Sequence, residues 1–134
     1  MTDSRDQPTA FVDSSAIVAL VDADDAAHSA AVEAYRQLCK DDYRLFTTDH
    51  VLVETYDLLA NGVGPIVASA WLRDHHLPVY YIDEADMHAA ADILAARPVD
   101  SPISFVDALS LSVMERLGVG DAFAVDPHFL NALS

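Results

Sequence analysis

Four acids stand where a carboxylate serves either as a structural device or as a ligand. Asp13 ends the apolar run 9–12 and precedes Ser14 and Ser15, a position that suits a turn former or an oxygen ligand held at a sheet edge. Glu54 follows Val51, Leu52 and Val53 and precedes Thr55 and Tyr56. A charge in such surroundings is costly to bury without a partner, so Glu54 is either an exposed helix position or a functional group on the buried side. Asp107 closes Ser104-Phe105-Val106-Asp107, a capping-box pattern in which the acid reaches back to the helix start and complements its dipole. Asp126 follows Phe123-Ala124-Val125 and precedes Pro127, where an Asp-Pro turn needs no further explanation. Taken singly, each acid has a structural account. Folded into one pocket they would repel, raising some of their pKa values, and a hard divalent cation would relieve that repulsion.

Other titratable residues offer less. Asp83 also follows an apolar run, yet Asp83-Glu84-Ala85-Asp86 carries the acids expected of a helix cap and first turn and is assigned to structure. Asp57, one turn beyond Glu54, reads first as surface with a place facing the same cleft as the alternative, and Asp121 is a loop acid near the proposed site; both roles are open. His28, His50, His75, His76, His88 and His128 are scattered without the paired helical spacing of a zinc hydrolase. The single cysteine, Cys39, reads as a thiol on a helix and excludes an intramolecular disulfide or a multi-cysteine zinc site. There is no glycine-rich phosphate loop and no serine in a nucleophile elbow, so covalent catalysis has no candidate.

The elements that must position these acids follow from periodicity. Strands are expected at 9–12, 44–47, 77–82 and 122–125, and helices at 16–21, 27–38, 49–60, from 64 onward, 83–96 and 104–117. The helix at 49–60 should carry Leu52, Tyr56 and Leu59 on one face and stop at Asn61-Gly62. Strands alternating with helices on short connections imply an α/β sandwich with a largely parallel central sheet. In such folds ligands sit beyond the carboxyl ends of the strands, where Asp13, Asp83 and Asp126 fall.

The 134 residues suit one domain with a genuine core, spanning 1–134 with 1–8 as a flexible tail. No apolar run approaches the ~20 residues of a membrane span, and the polar opening stretch does not read as a signal peptide, so a cytoplasmic location is expected. Charge is the unusual total: seven basic residues against 22 acidic ones leave −15, with 18 aspartates and Lys40 the only lysine. Such a surface repels polyanions, so a polyanionic substrate would need bound cations or a partner to offset the carboxylates. An Asp-rich, Lys-poor surface also suits a very salty cytoplasm, where charges are screened over ~3 Å.

In order, Phe11-Val12-Asp13-Ser14-Ser15, Glu54 within a helix, Ser104-Phe105-Val106-Asp107-Ala108 and Phe123-Ala124-Val125-Asp126-Pro127-His128-Phe129 resemble the ordered acidic motifs of the PIN domain, and most closely the VapC-type toxins of toxin–antitoxin pairs. The similarity extends from about Thr9 to Phe129. It implies a three-layer α/β/α sandwich with a four- or five-stranded parallel sheet, Mg²⁺ or Mn²⁺ at the carboxylates, and endonucleolytic cleavage of RNA. By position it makes Asp13, Glu54, Asp107 and Asp126 the catalytic and metal-binding quartet, with Ser15 supporting the first acid. It further implies a homodimer and a cognate antitoxin whose arginine pairs with the carboxylates; a housekeeping RNA-maturation nuclease or a catalytically silent binding module are the alternatives. Two departures stand out: Ala124 replaces a threonine that relatives often carry two residues before the last acid, and the chain stops soon after Phe129, where a final edge strand would lie.

Overall fold

The computed structural model describes residues 7–133. The expected tail falls mainly on 1–6, outside the described residues; Pro8 is already tied to the sheet, its carbonyl accepting from Arg44 N at 2.8 Å. Strand β1 (Thr9–Val12) leads into α1 (Ser14–Val21) and α2 (His28–Lys40), then β2 (Arg44–Thr48), α3 (Asp49–Gly62), α4 (Pro65–Asp74), β3 (Val79–Tyr80), α5 (Glu84–Ala95), α6 (Phe105–Leu117), β4 (Asp121–Phe123) and α7 (Pro127–Ala132). The four strands form one sheet in the order β3-β2-β1-β4, and every pairing is parallel, with Phe11 opposite Phe46 on one side and Ala122 on the other. All the strands therefore end on the same edge, where the following segments turn into helices.

The central strand β1 is apolar and buried, as a strand covered on both faces must be. Phe11 meets Phe46 edge-to-face at 5.7 Å and Phe129 at 5.9 Å. Phe129 is fully buried, and a phenyl group removed from water contributes about 2–3 kcal/mol. That anchor explains α7, which the sequence reading treated as a turn: Asp126 caps it and Pro127 occupies its first turn, a pairing that starts helices as readily as it makes turns. A smaller cluster of Ala90, Ile103, Ala108 and Leu109 joins α5 to α6.

Other differences from expectation have local causes. Strand β4 was expected at 122–125 but covers Asp121–Phe123, because Val125 N and Asp126 N donate instead to Ser15 Oγ at 3.0 and 3.2 Å. Strand β3 keeps only Val79–Tyr80: Pro78 has no N–H, and Ile82 N donates to Asp49 Oδ1 at 3.1 Å rather than to a strand. Helix α3 runs through Asn61 and Gly62 and breaks at Gly64, where φ is +103°, a conformation that favours glycine. Its buried stripe is Val51, Thr55 and Leu59, one step round from the expected Leu52, Tyr56, Leu59 face. Cys39 lies on α2, as expected of a thiol on a helix, and is exposed. No helix of the described residues is long and apolar enough to cross a membrane.

Candidate active site

Each of the four acids is delivered by a helix start or a helix face at the carboxyl edge of the sheet. Asp13 leaves β1 and is the N-cap of α1. Its Oδ2 accepts from Ser15 N at 3.2 Å and Ser15 Oγ at 2.7 Å, while its N donates to Phe123 O at 3.0 Å. Asp107 is the third residue of α6, with Oδ2 accepting from Ser104 N at 3.1 Å and its own N donating to Ser104 Oγ at 3.0 Å. Asp126 caps α7, its Oδ1 accepting from His128 N at 3.0 Å. Glu54, on α3, accepts a short hydrogen bond from Ser14 Oγ on Oε1.

The structural role of these acids is therefore present, and it uses one oxygen of each. Among the described residues the second oxygen accepts no hydrogen bond, and for Asp13 Oδ1 the consequence is sharpest: it is buried and has no partner at all. Asp13 is 2% exposed and Asp107 8%, and no ion pair of the described residues involves any of the four. A carboxylate taken from water without a cation or a full set of donors is held at a cost.

The electrostatics group them. Burial pushes the Asp13 carboxyl above the ordinary carboxylate range; the hydrogen bonds from Ser15 oppose this, and the charge of Asp107 adds to it. Burial raises Glu54 too; Ser14 pulls it back, and the charges of Asp13, Asp107 and Asp126 all push it further up. Residues from four segments of the chain thus feel one another as like charges, the situation a divalent cation relieves. Among the described residues no three His, Cys, Asp or Glu side chains form a ready-made ion cage. What fits a cation here is the donor chemistry, with hard oxygens in excess of protein donors and one of them buried and orphaned.

Ser15 links the parts. Its hydroxyl donates to Asp13 and accepts from Val125 N and Asp126 N, tying the first acid to the segment that carries the last. Asp121, left open near the site, lies at the start of β4, paired in register with Ala10 and accepting from Tyr43 OH at 3.0 Å; in a parallel sheet that is the far end from Asp126. Asp83 caps α5 in a reciprocal capping box with Asp86, as its sequence context suggested. Asp57 is exposed, but with His50, Val53 and Leu58 it lines a cleft of about 540 Å³ that also includes Glu54. His50 lies one helical turn before Glu54 and was set aside with the other histidines; the i, i+4 spacing of a histidine and an acid on one helix was the signal available.

The sheet order, the helix-capping acids and their convergence at the carboxyl edge define a small parallel α/β domain with an acidic site. A family model described as PIN domain matches residues 10–132, and the chain belongs to the PIN domain family. It is 34% identical over 121 residues to the 23S rRNA-specific endonuclease VapC20 of Mycobacterium tuberculosis strain H37Rv, across 89% of this chain and 90% of the relative, and the protein of the same name from strain CDC 1551 matches equally. The crystal structure of M. tuberculosis VapC20, described as a Sarcin-Ricin loop cleaving toxin, aligns with a TM-score of 0.76 at 32% identity, covering 91% of this chain and 93% of that one.

Proposed function

We propose that this protein is a divalent-cation-dependent endoribonuclease, the toxin of a toxin–antitoxin pair, acting in the cytoplasm on structured RNA of the ribosomal class that its relatives cut. The observation that carries the metal dependence is the buried, unpartnered Asp13 Oδ1 within a set of mutually repelling carboxylates. Asp13 and Asp107 are the chief ligands for Mg²⁺ or Mn²⁺, through the oxygens their capping bonds leave free. Asp126 completes the set. When bound, such an ion neutralises the carboxylates, lowers the pKa of water and stabilises charge on a leaving oxygen.

The chain's own contribution is to hold and orient. Glu54, whose carboxyl is pushed up by burial and its neighbours, accepts a proton from the attacking water more readily than an ordinary glutamate. Ser14 fixes which way that carboxylate points, and Ser15 fixes Asp13 relative to Asp126. Water adds across the P–O3′ bond: its oxygen joins phosphorus, and the 3′ oxygen departs with a proton, leaving 5′-phosphate and 3′-hydroxyl ends. A surface of −15 gives no long-range attraction for RNA, so affinity depends on contacts close to the site. The same charge suits a small antitoxin whose arginine inserts among the carboxylates, since bidentate guanidinium–carboxylate pairs are strong where water is excluded. A homodimer is part of this proposal.

The test is cleavage of total RNA and of isolated 23S rRNA with Mg²⁺, Mn²⁺ or EDTA, comparing wild type with Asp13→Asn and mapping product ends. Cation-dependent cuts absent from Asp13→Asn are expected. Cleavage unaffected by EDTA, or by the substitution, overturns the proposal.

A further inference from the structure

The helical hairpin of α3 and α4 carries the longest uncharged stretch of a chain in which 22% of residues are charged. From Leu58 to Leu72 there is no Asp, Glu, Lys, Arg or His, and the hairpin turns within this stretch, at Gly64 with φ +103°. Helix α4 packs mainly on α3, and its buried residue is Ala68. Ile66 stands two positions earlier, roughly 200° round the helix from Ala68, so it points away from the protein and is 86% exposed. Leu58, Val67 and Leu72 are exposed as well. Single hydrophobic residues on a surface need no explanation, as with Val99, which stands in water between Arg97 and Asp100. A group of them with no charge in between marks a contact surface. At its margins Asp57 closes one side, and on the other Arg73 and Asp74 offset each other across 3.3 Å.

We propose that the outer side of this hairpin is where two copies of the chain meet. The proposal deepens the homodimer part of the reading above and rests on it. Charge decides among the occupants. Each copy carries −15, so two copies that approach through their acidic surfaces repel one another. A stretch with no charge of its own is where they can touch without setting carboxylate against carboxylate. A basic partner has the opposite preference, because it gains by covering the acids and gains nothing electrostatic here. RNA is disfavoured too, since the stretch has no cation to meet a phosphate. A two-fold contact uses the same patch on both copies, so Ile66 enters the interface twice. Apolar burial supplies the attraction and the acidic remainder of each copy opposes it. Salt screens the repulsion and leaves the apolar contact in place, so association strengthens as salt rises. A contact built on ion pairs responds the other way. Leu58 also lines the cleft that includes Glu54, so a second copy seated here borders the candidate active site.

The experiment is sedimentation equilibrium of the full chain in about 0.1 M and about 1 M KCl, between which the screening length falls from ~10 to ~3 Å, for wild type, Ile66→Asp and Val99→Asp. Wild type should dimerise, with a dissociation constant that falls as KCl rises. Ile66→Asp sets two carboxylates against each other in a two-fold contact and should raise that constant at least about a hundredfold. Val99→Asp, the same change at an exposed valine outside the hairpin, should leave it within about twofold. Both variants should keep the wild-type circular dichroism, since the replaced side chains stand in water and an acid suits the first turn of a helix such as α4. An Ile66→Asp dimer as tight as wild type overturns the assignment of this face and leaves the homodimer reading standing. Dimerisation that weakens as KCl rises also overturns it, by showing a contact held through ion pairs. Wild type that stays monomeric at both salt concentrations overturns the face and the homodimer together, and leaves the hairpin to a different protein.

Discussion

Two helices of this molecule start with the same device and end in opposite electrostatic states. At α5, Asp83 and Asp86 form a reciprocal capping box, and at α6, Ser104 and Asp107 form another. Asp86 is 2% exposed and its second oxygen is met by Arg116 Nη1 at 2.7 Å, while Tyr80 OH donates to the first at 3.0 Å. Arg116 also reaches Asp83 and Tyr80, and it is held more firmly protonated by them. Asp107 has the same cap geometry, but the charges it meets are those of Asp13 and Glu54. A buried acid with a cation and a full set of bonds is architecture; a buried acid facing other acids, with oxygens left over, is a site waiting for charge from outside.

If that contrast is right, substitutions in the two clusters should have opposite signatures. The largest effect expected is on chemistry: Asp13→Asn should lower RNA cleavage by more than about 10²-fold while preserving the fold. Next, Asp86→Ala should cost about 2 kcal/mol by losing a cap and the buried acceptor of Tyr80 OH, read by urea denaturation; the pair with half-exposed Arg116 adds little because water screens it. Activity per folded molecule should be unchanged, and an Asp86 variant that folds normally but cannot cut would erase the distinction. Ser15→Ala should come third, with roughly a tenfold loss of cleavage, the low end for residues that orient ligands, and reduced stability from two freed N–H groups.

The pH dependence is smaller and has a definite sign. Asp13 and Glu54 have raised pKa values when folded, so they bind more protons in the native state, and the stability they allow is present at acid pH and lost as pH rises past their folded values. Asp49 and Asp83 are lowered, so their contribution is present near neutrality and lost on acidification. In cation-free buffer, the difference in unfolding free energy between wild type and Asp13→Asn should therefore move against wild type between the ordinary carboxylate range and neutrality. A difference independent of pH would mean that the carboxylate is not strained. Smallest of all, Asp57→Asn should change cleavage less than about threefold, since Asp57 is exposed.

Much of the fold was legible because strand and helix periods alternate cleanly, and the strand-to-helix switch after residue 12 was visible in type and order. What was missed depended on side chains distant in sequence. Nothing near Val125 announces that its N–H goes to a serine 110 residues earlier, which shortens β4. Only the φ of Gly64, not the Asn61-Gly62 pair, ends α3. The candidate site was legible as a set of positions but undecidable residue by residue, and the reason is physical: a structural role and ligation were weighed as alternatives, whereas Asp13, Asp107 and Asp126 each use one oxygen at a helix start, Glu54 uses one for Ser14, and the other oxygen of each is left over. Asp121 was misplaced because its loop-like context concealed its position at the start of β4, at the opposite end of the sheet from Asp126.

The central claim is that Asp13, Glu54, Asp107 and Asp126 are strained by one another and relieved by a divalent ion. Thermal unfolding of wild type and Asp13→Asn, each titrated with Mn²⁺, tests it most directly. Without cation the variant should melt a few degrees above wild type, at roughly 2–8 °C per kcal/mol for domains of this size range, and Mn²⁺ should raise the wild-type midpoint progressively while leaving the variant nearly unmoved. A wild-type protein as stable as the variant without cation, and equally indifferent to Mn²⁺, would contradict the account.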